Sequence, residues 1–343
     1  MSIYKLYINF IKDAVSSLLV FIGDFMEVAW GWEIALALFF GGLGGGAFII
    51  AVVTSILTSE RYKEIIKFGN YIGVVSAILC IIFFALDAGR PERAMFLYSN
   101  LPTSMISVGT TILSTIIPLG IIYVSYHPPE ALPFAEIIKK WFFWTRSTKL
   151  RRLIEIILFF IACGLVGYTS FVLGVIRAKP FWHTPLLVLV FFSSGISTGL
   201  MAIGFLSSFL YPIVKEGAPK KIIIEILHKL DTADAYMLTI ELGAIISYVF
   251  GTYYGIPIVA PRNPAATASA AALLYGELSL IFWLLVITIG LVIPLMGCIL
   301  LAWMGRTIRF VKWYPIVIAI LALCVLIGGI FMRYSIVIAG QLI

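Results

Sequence analysis

Glu33, Tyr168 and His183 stand at the mouths of three long apolar stretches, and their types suit proton exchange with a ligand. A carboxylate or an imidazole can accept a proton, while a phenol can orient a polar group by a hydrogen bond. Glu33 opens the run GWEIALALFFGGLGGGAF, residues 31–48, in which five of the six residues from Gly41 to Gly46 are glycine. So much glycine costs helix propensity, and two readings of it stay open. Gly41 with Gly45, and Gly42 with Gly46, have the spacing that lets membrane helices touch closely. Alternatively, the missing side chains leave room for a flat ligand just below Glu33, beside the interfacial pair Trp30 and Trp32.

The elements that carry these residues follow from composition. A chain of 343 residues that is 62% hydrophobic and 12% charged, with mean hydropathy +1.08, has far more apolar surface than a soluble core can hide. Apolar runs of about 20 residues predict eight membrane helices, at about 31–57, 66–87, 104–126, 152–176, 184–213, 232–256, 274–303 and 312–338. Residues 3–23, with Tyr4, Tyr7 and Phe10, read as an amphipathic interfacial helix. Sixteen of the 24 Lys and Arg residues fall on one side of this topology and eight on the other. The richer side is expected to be cytoplasmic, which puts both termini outside. FFGGLGGGAFI from Phe39 aligns with FFSSGISTGLM from Phe191 at an offset of 152 residues, each with a Trp upstream (Trp30, Trp182). The expected fold is an all-α integral membrane protein: an interfacial segment over 1–26, a four-helix bundle over 27–176 and its parallel repeat over 177–343.

Most remaining polarity collects on the outer side. It lies in LDAGRPER (with Asp87 and Arg90), RAKPFWHTP (with Arg177, Lys179, Trp182 and His183), YGEL (with Glu277) and MRYSIVIAGQ (with Arg333). Tyr168 lies nine residues before Arg177, about 13 Å deeper on the same helix. Ionisable groups at such depths are functional candidates, although a stabilising pair such as Asp87 with Arg333 reads equally well. Glu241, near the middle of the sixth helix, is the acid placed inside the bilayer, on a proton path or in a buried structural hydrogen bond. Cys80, Cys163, Cys298 and Cys324 are scattered through apolar runs, which suits packing rather than a metal cluster. The three histidines, His127, His183 and His228, offer no pair within the bilayer for a haem.

Taken in order, GWEIALALFFGGLGGGAF, LDAGRPERAMFLYSNLPTSMISVG, GYTSFVLGVIRAKPFWHTPLLVLVFFSSGISTG and FMRYSIVIAGQ make the chain resemble the NrfD-like family of polysulfide-reductase membrane subunits, over nearly its whole length. The resemblance implies an eight-helix, quinone-binding subunit in the cell membrane. Its partners would be an iron–sulfur electron-transfer subunit and a molybdopterin catalytic subunit on the outer face, with sulfur compounds as terminal substrates. It also implies that Tyr168 in GYTS lines a quinone pocket with Glu33 nearby. Lys179 and Trp182 match a pattern more often read R-P-F-W-N, with Lys179 where Arg is commoner and His183 where Asn is commoner. Quinol oxidation requires acceptors for the hydroxyl protons, a flat apolar slot and an electron relay. Glu33, Tyr168 and His183 offer the first, Gly41, Gly42 and Gly45 a wall of the second, and the partner the third. The rival reading is a secondary transporter or ion carrier, which parallel four-helix repeats, Pro118 and Pro294 inside the third and seventh helices, and the buried Glu241 would suit.

Overall fold

The computed structural model describes residues 29–58, 61–88, 96–98, 100–101, 103–126, 147–213, 218–308 and 313–342. The expected interfacial segment over 1–26, together with Arg90 and His127, lies outside the described residues. Ten helices follow in order: α1 (Trp32–Thr58), α2 (Lys63–Asp87), α3 (Met105–Val124), α4 (Thr148–Gly174), α5 (Leu186–Leu210), α6 (Ala218–Tyr254), α7 (Pro264–Leu274), α8 (Ile281–Val292), α9 (Ile293–Ile308) and α10 (Tyr314–Ala339). With α8 and α9 continuous, eight among the described residues are long and apolar enough to cross a membrane. A helix closes its own backbone hydrogen bonds, which lipid cannot do for it.

Two differences from the hydropathy reading have local causes. α6 begins at Ala218, whereas apolarity alone starts it at residue 232. Ile223, Ile226, Leu227 and Leu230 are buried at helical spacing, so one face of this charged segment packs while Lys and Glu occupy the other. Glu225 fixes it to the start of α2, accepting from the Tyr62 hydroxyl at 2.5 Å and lying 3.4 Å from Arg61 Nη2. The seventh crossing divides as well. Asn263 caps α7 by accepting from the Ala265 N–H at 2.9 Å, with Pro264 at the first helical position. α8 is wound as a π-helix ahead of Pro294, and the Thr288 hydroxyl donates to the Trp283 carbonyl five residues back.

α1 lies at the centre and is buried along most of its length, because successive glycines let it touch three neighbours at once. A Cβ at Gly44 would come within 3.0 Å of Ser76 and 3.2 Å of the Gly73 carbonyl on α2. At Gly45 it would meet Val166 Cγ2 at 2.6 Å and the Ala162 carbonyl of α4 at 2.9 Å. At Gly46 it would overlap the Gly195 carbonyl of α5, and at Gly199 it would lie 2.7 Å from the Ala47 nitrogen. The two segments that align at an offset of 152 therefore lie against each other.

One end of the molecule is closed by a clasp. The Gln341 side chain accepts from the Trp30 N–H at 2.9 Å and donates to the Trp30 carbonyl at 2.8 Å. Trp30 stacks on Trp182 with ring centroids 5.7 Å apart, and Trp182 Nε1 donates to the Ile336 carbonyl at 2.8 Å. The starts of α1 and α5 and the finish of α10 thus share this end, which we call the tryptophan end.

Candidate functional site

Glu33 occupies the first turn of α1 at the tryptophan end, half-buried, and accepts no hydrogen bond among the described residues. Asp87, the last residue of α2, is half-buried close enough to feel its charge. Two carboxylates to which no described residue donates therefore share the mouth between α1 and α2. Asp87 does not pair with Arg333; among the described residues neither takes part in an ion pair closer than 4 Å. The wall beside this mouth is aromatic. Phe40 stacks on Phe83 at 5.5 Å, and the exposed Trp32 meets Phe83 edge-on at 6.0 Å.

Deeper in the same four helices, Tyr168 of α4 is almost wholly buried. Its ring fills the place a side chain would take at Gly109 of α3 and lies 6.4 Å from Phe84 of α2. Its hydroxyl makes no hydrogen bond among the described residues. Beside it, toward the other end, an apolar groove of about 330 Å³ runs between α3 and α4, lined by Thr111, Ile112, Thr115, Phe160, Ile161 and Gly164.

The remaining sequence candidates are dispersed. His183 is exposed, with Nδ1 2.5 Å from the Gly174 carbonyl, and no bond joins it to Glu33 or Tyr168. Arg177 and Glu277 are exposed. Lys179 Nζ reaches the Gln341 carbonyl at 3.5 Å, so Lys179 and Trp182 both hold the end of α10. Gly41 and Gly45 press on α4, and Gly42 on α5 and Arg333, so all three are spent on helix contacts.

Arg333 is fully buried at the centre, with its guanidinium over the rings of Phe191 at 5.3 Å and Phe39 at 5.6 Å. Nη1 donates to Ser194 Oγ at 3.2 Å and to the Gly329 carbonyl at 3.0 Å. Glu241 is buried against the same Ser194 hydroxyl, within reach of the Arg333 charge. Glu241 is not alone inside the membrane region: Asp231 and Asp234 are completely buried on the same helix, and so is Glu155 on α4. Their signal in the sequence is the spacing of 231, 234 and 241, which repeats one helical face. Among the described residues no group of three or more His, Cys, Asp or Glu could hold a metal ion.

Eight apolar helices around a glycine-rich centre, with acids at one end and buried inside, define a multi-pass helical membrane protein. Residues 20–343 match the family described as polysulphide reductase, NrfD, and the chain belongs to that family. It is 26% identical to the C polypeptide of the Wolinella succinogenes polysulfide reductase over 335 residues, covering 93% of this chain and 96% of the relative. It is 25% identical to protein NrfD of Escherichia coli, with 93% and 96% covered. With the C polypeptide of the Mesobacillus selenatarsenatis selenate reductase it shares 22%, over 90% of this chain and 73% of the relative.

Proposed function

We propose that this chain is the membrane anchor and quinone-binding subunit of a respiratory oxidoreductase complex, exchanging electrons between membrane quinone and an extracytoplasmic iron–sulfur subunit. A molybdopterin subunit acting on a sulfur compound completes the complex. The observation that carries the reading is the coincidence, at the tryptophan end of α1–α4, of two carboxylates, an aromatic wall and a buried phenol, none of whose polar atoms is hydrogen-bonded to a described side chain. A quinol brings two electrons and two hydroxyl protons to such a place. Glu33 accepts a proton there, Asp87 holds a second position for one, and the Tyr168 hydroxyl donates to a head-group oxygen. The rings of Phe40, Phe83 and Phe84 keep water from the head group, and the α3–α4 groove suits an isoprenoid tail because its walls are apolar. Kinship with components of polysulfide and selenate reductases supports a redox complex over a transporter.

The Lys and Arg asymmetry supports placing the tryptophan end and both termini outside, where Arg177, His183 and Glu277 are free to meet the iron–sulfur partner. A reporter fused after Ile343 should be active only in its extracytoplasmic form. The site is tested by Glu33→Gln in the intact complex. A base lost from the reacting site lowers kcat with little change in KM, and quinone bound to the purified variant should match wild type. If turnover survives Glu33→Gln and is abolished by His183→Ala, the proton acceptor is His183.

A further inference from the structure

α6 presents a file of acids to the interior formed by α5, α9 and α10. Asp231, Asp234 and Glu241 share one face of the helix over a rise of about 15 Å, half of a hydrocarbon core about 30 Å thick. Buried polar groups are ordinarily satisfied, and Asp231, Asp234 and Arg333 are satisfied only in part. Among the described residues Asp231 has no oxygen or nitrogen donor and only the Cys298 thiol beside it, Oδ2 of Asp234 receives no hydrogen bond, and Nε and Nη2 of Arg333 find no acceptor. All three residues are completely buried. What accompanies them is small and can exchange protons. Ser197 Oγ donates to Asp234 Oδ1 at 2.7 Å. The Cys298 thiol of α9 lies against Asp231, and the Ser194 hydroxyl lies between Glu241 and Arg333.

We propose that Asp231, Asp234 and Glu241 form a proton relay. Through Ser197 and Ser194 it connects the His228 end of α6 with the Arg333 guanidinium at the centre of the molecule. Ser194 and Ser197 are one turn apart on α5, and each serves a different acid, so together they bridge the stretch of α6 between Asp234 and Glu241. A hydroxyl donates and accepts at once. Asp231 hands its proton to Asp234 one turn on, Asp234 gives one to the Ser197 oxygen as Ser197 releases its own to Ser194, and Ser194 releases its proton in turn to the Glu241 carboxylate; no electron moves and charge is conserved. The groups set against this file are Ser194 and Ser197 on α5, Cys298 on α9 and Arg333 on α10. Two turns beyond Glu241 on α6, the buried Tyr248 hydroxyl donates to the Phe181 carbonyl at 2.9 Å.

The relay ends near the proposed quinone site. Arg333 Nη2 would lie 2.6 Å from a Cβ at Gly42, while the neighbouring Gly41 faces Thr169, next in sequence to Tyr168. Gly41 and Gly42 thus touch the two sides from adjacent positions of α1. Coupling between them rests on the quinone reading; the relay itself does not.

Dicyclohexylcarbodiimide enters apolar regions and adds to protonated carboxyls, so its attachment sites on the purified full-length chain, mapped by mass spectrometry, read the relay without quinone. Label is expected on Asp231, Asp234 or Glu241, falling about tenfold for each pH unit once the group ionises, and unchanged when sodium replaces choline. Asp234→Asn and Glu241→Gln should each lose the label at the substituted position. Protection by sodium would overturn the relay in favour of a cation site, and so would label elsewhere in the chain with none on these three acids. In vesicles carrying the intact complex, Asp234→Asn should keep quinone binding and lose proton displacement during turnover; undiminished displacement would also overturn it. Failure of the quinone reading shows separately, as a wild-type chain that binds no quinone yet still labels.

Discussion

Glu155 of α4 and Asp234 of α6 are both completely buried acids on membrane helices, yet their surroundings differ in kind. Glu155 accepts from Ser55 Oγ at 2.6 Å, from the Tyr123 hydroxyl at 3.1 Å and from Arg152 Nη1 at 2.8 Å, with Arg151 Nε 3.5 Å away. Its charge is matched and its lone pairs are used. Asp234 has one serine, an idle second oxygen and Asp231 one turn away. A carboxylate ringed by donors ties α1, α3 and α4 together. One left with idle oxygens adds little to stability and stays free to change its charge, so burial alone does not say which kind of acid is present.

The largest effect expected from this contrast is on stability. Glu155→Leu keeps much of the volume and removes every acceptor. The Arg152 side chain is 41% exposed, so its share is screened. The buried Ser55 and Tyr123 bonds to a charged group remain, at about 1.5–3 kcal/mol each, so thermal unfolding in detergent should show a loss of about 3 kcal/mol or more. Asp234→Asn should shift the same transition by less than about 1 kcal/mol, because the amide oxygen still accepts from Ser197 and no cation loses its partner. Equal losses at the two positions would erase the distinction and make Asp234 an anchor like Glu155. Ser197→Ala comes next, at about 1 kcal/mol for one buried bond lost.

The eight crossings were legible because lipid forces each into one long apolar helix, and a run such as residues 312–338 has no other use in a soluble or a membrane protein. Helix rotation is another matter. Hydropathy trims α6 to residue 232 and so drops Asp231, because Lys220, Lys221, Glu225 and Lys229 outweigh the buried Ile223, Ile226, Leu227 and Leu230 in any average. Arg333 and Glu241 are 92 residues apart, and nothing local says that α6 and α10 turn them toward one serine. The sequence instead offers Asp87 as a partner for Arg333, since both lie at outer helix ends. Glycines 41–46 were visible as an anomaly, but their three directions of contact depend on which helices surround α1. Glu33 and Tyr168 could be picked out as polar groups in apolar runs. That Asp87 shares the mouth with Glu33 could not, because it depends on how α1 and α2 cross.

The smallest effect expected separates two buried hydroxyls. Among the described residues Ser197 has a hydrogen-bond partner and the Tyr168 hydroxyl has none, so their removal should register in different measurements. Tyr168→Phe breaks no bond within the chain, and its unfolding transition should stay with wild type or rise slightly, since an unpaired hydroxyl is costly to bury. If the phenol donates to a quinone oxygen, the loss appears in binding instead, at about 0.5–1.5 kcal/mol, a factor of about 2 to 13 in Kd. Titrating a short-chain quinone into the purified chain measures it, with Phe84→Leu as a control that alters the ring wall and leaves the hydroxyl in place. Unchanged affinity together with a lower unfolding temperature would make Tyr168 a packing residue against Gly109, and would leave Glu33 and Asp87 to serve a head group held nearer the tryptophan end.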